Sequence, residues 1–161
     1  VPQPTSPAII VGSVAASATT GALVAMGHRA GSGGLAFAAI GAVLFQRSAN
    51  SSAAGLVFTG LVLHVMAMFL WSFIFIWVCT RVAEGSTSRR FAAAIAVGTG
   101  QFALSWLVAW STGKGLASTL PLGDLLAFSL VLSLALALGI RIAFSAREPD
   151  ASLSHRGPPQ L

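Results

Sequence analysis

The sequence predicts an all-α integral membrane protein, with four transmembrane helices and a short half-helix or interfacial helix between the first two. Three observations lead there. Only 8% of the residues are charged and 55% are hydrophobic, whereas a soluble domain carries about 25% charged residues. The stretch from Ala54 to Cys79 holds no Asp, Glu, Lys or Arg. As a helix rising ~1.5 Å per residue it measures about 39 Å, enough to cross a ~30 Å hydrocarbon core with some tilt. Three further apolar stretches of spanning length are bounded by charged or helix-breaking residues.

Residues 1–7 (VPQPTSP) carry three prolines and no charge and are expected to be extended. Pro7 suits the first turn of a helix, where its missing N–H costs nothing. The transmembrane region is expected over 8–145. Its first span, 8–27, is rich in small residues, and Ser13, Ser17 and Gly21 fall on one i, i+4, i+8 row. Such a row lets another helix backbone approach closely in lipid.

His28 and Arg29 end that span, and Gly31, Ser32, Gly33 and Gly34 break the helix. The segment 35–45 (LAFAAIGAVLF) is apolar but short. Eleven helical residues cover only ~16 Å, about half a bilayer, so a half-helix or interfacial segment is expected, with a compressed fifth span as the alternative. The second span is 54–79. An Arg-containing loop, Thr80 to Arg90, leads to the third span at 91–112, and the fourth runs over 120–144. Residues 146–161 (AREPDASLSHRGPPQL) form a polar, Pro-containing C-terminal tail, a composition that does not favour packing.

The basic residues set the orientation. With four spans, the Thr80–Arg90 loop and the tail share a side that holds Arg81, Arg89, Arg90, Arg141, Arg147 and Arg156. The opposite side holds Arg29, Arg47 and Lys114. Positive charge concentrates on the cytoplasmic face, so the C-terminus is expected inside. Arg outnumbers Lys and Ala and Gly are abundant, a composition associated with bacterial genomes of high GC content. The expected location is therefore a bacterial inner membrane, crossed several times. The net charge of +5 is scattered between apolar spans rather than gathered into a phosphate-tracking patch, which argues against nucleic acid as a partner.

Few polar groups lie deep in the spans. His64 sits about three residues from the middle of its span, some 4.5 Å along the axis. Ionisable groups at that depth face protein or a cavity. Gly60, His64, Met68 and Ser72 share one i+4 row, opposite an aromatic surface of Phe58, Phe69, Phe73 and Trp77. The polar row is expected to face protein. Three roles compete for His64: a neutral imidazole bonded to another helix, an axial ligand to a haem or chlorophyll-type pigment, and a proton or substrate relay. Neither His28 nor His155 lies at a matching depth for a bis-His haem.

In the third span Gly98, Gln101 and Ser105 form an i, i+3, i+7 set, and the Gln101 amide needs a partner at that depth. A hydrogen bond between His64 and Gln101 across antiparallel helices is the expected solution. In the fourth span Ser129 and Ser133 are expected to bond their own backbone carbonyls.

There is one cysteine, Cys79, and only four acidic residues. The sequence shows no carboxylate pair, HExxH, GxSxG or Walker loop, and no cysteine pair for a metal. An enzyme is not expected. The leading expectation is a non-catalytic accessory or structural subunit of a larger membrane complex, of the respiratory or photosynthetic kind, bound to lipid and to other transmembrane subunits. The alternatives are a small oligomeric transporter or channel working around His64 and Gln101, and a haem- or pigment-binding protein using His64.

Overall fold

The computed structural model describes residues 5–45, 54–82 and 86–145, and these are almost entirely helical. The elements are α1 (Thr5–Arg29), α2 (Leu35–Phe45), α3 (Ala54–Val82), α4 (Thr87–Thr112), a single 3-10 turn at Leu116–Ser118, and α5 (Leu122–Ser145). Four of these helices are long and apolar enough to cross a membrane, and α2 is a shorter apolar helix. At ~1.5 Å per residue α3 is about 44 Å long and α2 about 16 Å. Of the segment 1–7 expected to be extended, residues 5–7 instead form the first turn of α1, while residues 1–4, the tail 146–161 and Arg47 lie outside the described residues.

Local chemistry fixes the helix ends. Gly31, at φ 114°, takes a conformation that side chains with a Cβ rarely adopt, and it turns the chain out of α1. The Ser32 N–H then donates to the Gly27 carbonyl at 2.9 Å. At the start of α4, Ser86 is the N-cap, and its hydroxyl accepts from the Arg89 N–H at 3.4 Å. The helix therefore begins at Thr87, four residues before the expected start of the span. Gly113, at φ 65°, closes α4 with its N–H on the Ala109 carbonyl.

The four long helices form an up-and-down bundle in which every neighbouring pair runs antiparallel. α1 lies between α3 and α5, and α4 packs on the other sides of α3 and α5. Named contacts give the register. Gly12 of α1 meets Phe69 of α3, and Val11 meets Gly139 of α5. At the other end Arg29 pairs with Asp124, joining the last turn of α1 to the first turn of α5.

Small residues sit where backbones touch. α2 lies across the first half of α3 at Gly41 and Gly60. A Cβ on either glycine would run into main-chain atoms of the other helix, the Leu56 carbonyl for Gly41 and the Phe37 carbonyl for Gly60. Gly98 of α4 performs the same service against Ser129 and Ser133 of α5.

The core runs along the bundle axis through Val11, Leu23, Phe75, Phe128, Leu132 and Leu136. The outer surface is also apolar. Phe58, Met66, Leu70, Phe73 and Trp77 on α3, and Leu126, Leu130, Leu134 and Leu138 on α5, point away from the bundle. Contiguous exposed apolar surface on this scale is foreign to a water-soluble monomer and natural in lipid.

Candidate functional site

The site is built around His64, near the middle of α3. The row Gly60, His64, Met68 and Ser72 is buried, and Phe58, Phe73 and Trp77 are exposed. The deepest polar groups thus turn inward, as the four-residue periodicity requires. His64 is 3% exposed. Its imidazole sits between the edges of two phenyl rings, Phe37 at 5.9 Å and Phe128 at 6.1 Å between centroids. Three helices, α2, α3 and α5, therefore hold the ring's orientation.

A fourth helix supplies the hydrogen bond. Thr19 Oγ1 of α1 lies 3.1 Å from His64 Nε2. The same hydroxyl donates to the Ala15 carbonyl at 2.6 Å. With its proton spent there, Thr19 offers His64 a lone pair, so Nε2 carries the hydrogen and donates. This tautomer leaves Nδ1 as an acceptor, and the Ala16 backbone of α1 is a further hydrogen-bond partner of the imidazole.

Gln101 of α4 does not pair with His64. Its Nε2 donates to Ser105 Oγ at 2.8 Å, one turn along its own helix. The expected cross-helix bond loses to two nearer partners, Thr19 for the imidazole and Ser105 for the amide. Gln101 Oε1 is buried and has no partner among the described residues. His64 and Gln101 nevertheless share a half-open cavity of about 170 Å³, lined also by Met68, Trp71, Leu116 and Phe128. It lies where α3 and α4 diverge, beneath the 3-10 turn. A cavity of ~150 Å³ holds a benzene-sized ring. A tetrapyrrole needs far more, since even drug-sized ligands occupy ~300–1,000 Å³. A haem or pigment on His64 would also have to part the helices that hold Phe37 and Phe128 against the imidazole.

The other sequence-derived positions divide into two groups. Gly60 and Gly98 are buried at helix contacts, and Ser105 is half-buried in the cavity wall. Ser133 donates to the Ser129 carbonyl at 2.9 Å as expected, whereas Ser129 Oγ does not bond its own backbone and is buried without a partner among the described residues. By contrast Ser13, Ser17 and Gly21 all face outward from α1. Within this chain α1 packs through a different stripe, Ala8, Val11, Ala15, Thr19, Leu23 and Met26. Thr19 was the residue the sequence reading missed. Its signal was a lone hydroxyl on an otherwise apolar i+4 row. Among the described residues no three His, Cys, Asp or Glu side chains come together to hold a metal, and Cys79 is a buried free thiol.

Together the fold and site define a class: a helical bundle of membrane-spanning character with a mostly apolar cavity into which His64, Gln101 and Ser105 bring the polar side chains. Compared with known proteins, the chain matches no family model, no curated protein and no solved structure.

Proposed function

We propose that this chain is a multi-pass membrane protein that works by binding, and that a small, neutral, ring-sized molecule bearing a hydroxyl occupies the His64–Gln101 cavity. The observation that carries this reading is Gln101 Oε1, buried and without a partner among the described residues, on a side chain that lines the same cavity as His64. An unpaired buried polar atom costs about 1–3 kcal/mol. A hydroxyl in the cavity relieves that cost, because it donates to one acceptor and accepts from a neighbour at the same time. The lining contains no charged side chain, so an ion would enter without a partner.

In this reading the Arg-rich end of the bundle faces the cytoplasm, and the membrane is a bacterial inner membrane. The chain performs no chemistry on its ligand. The test uses purified protein in mild detergent with phenol and toluene, two rings that differ by the hydroxyl. Phenol should raise the unfolding temperature saturably, as a ligand of the folded state must, and toluene should do so less. Gln101→Leu should erase the difference. Equal shifts from the two rings, or an unchanged difference in the variant, defeat the reading.

A second reading, an accessory subunit of a larger membrane complex, is favoured by the outer face of α1. Ser13, Ser17 and Gly21 are exposed there, and among the described residues neither hydroxyl is hydrogen-bonded. Small residues and free hydroxyls facing lipid suit a close transmembrane partner. A stoichiometric transmembrane partner that co-purifies with the native chain and is lost with Ser17→Leu supports it. Retention of that partner in the variant removes it.

A further inference from the structure

The opposite end of the bundle carries a second cavity, independent of the first. It is a groove of about 700 Å³ between the start of α4 and the end of α5. Thr87, Ser88, Arg90 and Arg141 form its polar part, and Phe91 and Leu138 lead from it onto the apolar outer wall. Charge is unevenly spread over the described residues. At the other end Arg29 is matched by Asp124. At this end Arg81, Arg89, Arg90 and Arg141 have no carboxylate partner among the described residues. Arg90 lies over the Phe144 ring, 4.6 Å from its centroid. That contact holds the guanidinium at the rim of the groove, and its N–H donors make no hydrogen bond among the described residues.

From this placement we infer that the groove binds an anionic phospholipid. The phosphate takes Arg90 and Arg141 as its cationic partners, with the Thr87 and Ser88 hydroxyls beside it. The acyl chains run down the exposed faces of Phe91 and Leu138. Both features are needed for this occupant. Paired arginines select phosphate by charge and by their planar donor geometry. The apolar wall, continuous with the lipid-facing surface, selects a phosphate that carries hydrocarbon. Basic pockets between transmembrane helices at a cytoplasmic face are suited to such headgroups. The inference requires the bundle to span a membrane and is indifferent to what fills the His64 cavity.

The experiment is native mass spectrometry of the full chain, released from micelles doped with phosphatidylglycerol or phosphatidylcholine of identical acyl chains. One phosphatidylglycerol should be retained with roughly thirtyfold preference, in keeping with two arginines that each favour the anionic lipid. The double variant Arg90→Gln/Arg141→Gln should bring the preference close to unity, while Arg89→Gln, outside the groove, should leave it in place. Inorganic phosphate at equal concentration should not displace the lipid. A preference that survives the double variant, falls equally with Arg89→Gln, or yields to free phosphate overturns the assignment. Circular dichroism of each variant separates loss of the site from loss of the fold.

Discussion

Thr19 and His64 meet 3.1 Å apart in the middle of the bundle, joining α1 to α3. The contact defines both the tautomer of the imidazole and the register of the two helices. Thr19 spends its proton on the Ala15 carbonyl, so it must accept from His64, and a side chain without a lone pair at that point cannot replace it.

Thr19→Val should therefore destabilise the protein by about 1 kcal/mol, within the ~0.6–2 kcal/mol range of interhelical hydrogen bonds in membranes. Thr19→Ser should retain most of the stability. Thermal unfolding in detergent measures both. A double-mutant cycle with His64→Ala should give a coupling of similar size. Zero coupling would mean that the bond contributes nothing.

The α2–α3 crossing predicts a contrast between two glycines on one helix. Gly60→Ala forces a Cβ onto the Phe37 carbonyl, which belongs to rigid backbone, so the helices must separate. A loss of about 1–3 kcal/mol is expected. Gly55→Ala meets nothing within 4 Å and should be neutral or slightly favourable by helix propensity. Unfolding curves for the two variants should differ visibly, and equal behaviour would show that the crossing is looser than the structure has it.

Gln101→Leu should leave the ligand-free protein no less stable than the native one. The substitution gives up the bond to Ser105 but also removes a buried oxygen that has no partner. These two effects are each on the order of 1 kcal/mol and oppose one another. The same variant should lose any stabilisation by hydroxylated ligands, so ligand-free and ligand-bound melting separate the two contributions.

The Arg29–Asp124 ion pair is 2.5 Å long, with the arginine side chain 63% exposed. Exposed pairs contribute about 0–1 kcal/mol and weaken with salt. Asp124→Asn should cost less than 1 kcal/mol at low salt and nothing measurable near 1 M. A salt-independent loss would place the pair in a drier setting than its exposure indicates.

Orientation is testable by labelling. With Cys79 replaced by Ala, a cysteine at Ser88 should react with a membrane-impermeant maleimide only after cells are opened. A cysteine at Lys114 should react in intact cells. The reverse pattern would invert the orientation proposed from the arginine distribution.

Much of the architecture was legible in the chain. The charge-free run through α3, the break at Gly31–Gly34 and the shortness of 35–45 dictate four long helices and one short one. The inward turn of Gly60, His64, Met68 and Ser72 also follows, because one polar face on an apolar helix has only protein to face. The start of α4 was placed late because hydropathy registers the apolar residues of a helix and passes over its polar first turn, Thr87 to Arg90, which Ser86 caps.

Partner choice was not legible. Small residues occur on every long helix, and periodicity shows which residues share a face without showing which faces meet. Ser13, Ser17 and Gly21 made as good a row as Val11, Ala15 and Thr19, yet only the second is packed inside this chain. Likewise Gln101 was expected to meet His64, and only helix rotation shows that Ser105 is in reach while His64 is held by Thr19. The sequence by itself determined how many helices there are, how long they run and how deep their polar groups lie, since these depend on local length and hydropathy. Only the tertiary structure decided who bonds to His64, that the Gln101 oxygen is left unpaired among the described residues and where the cavities open, because those depend on the rotation and register at which backbones come into contact.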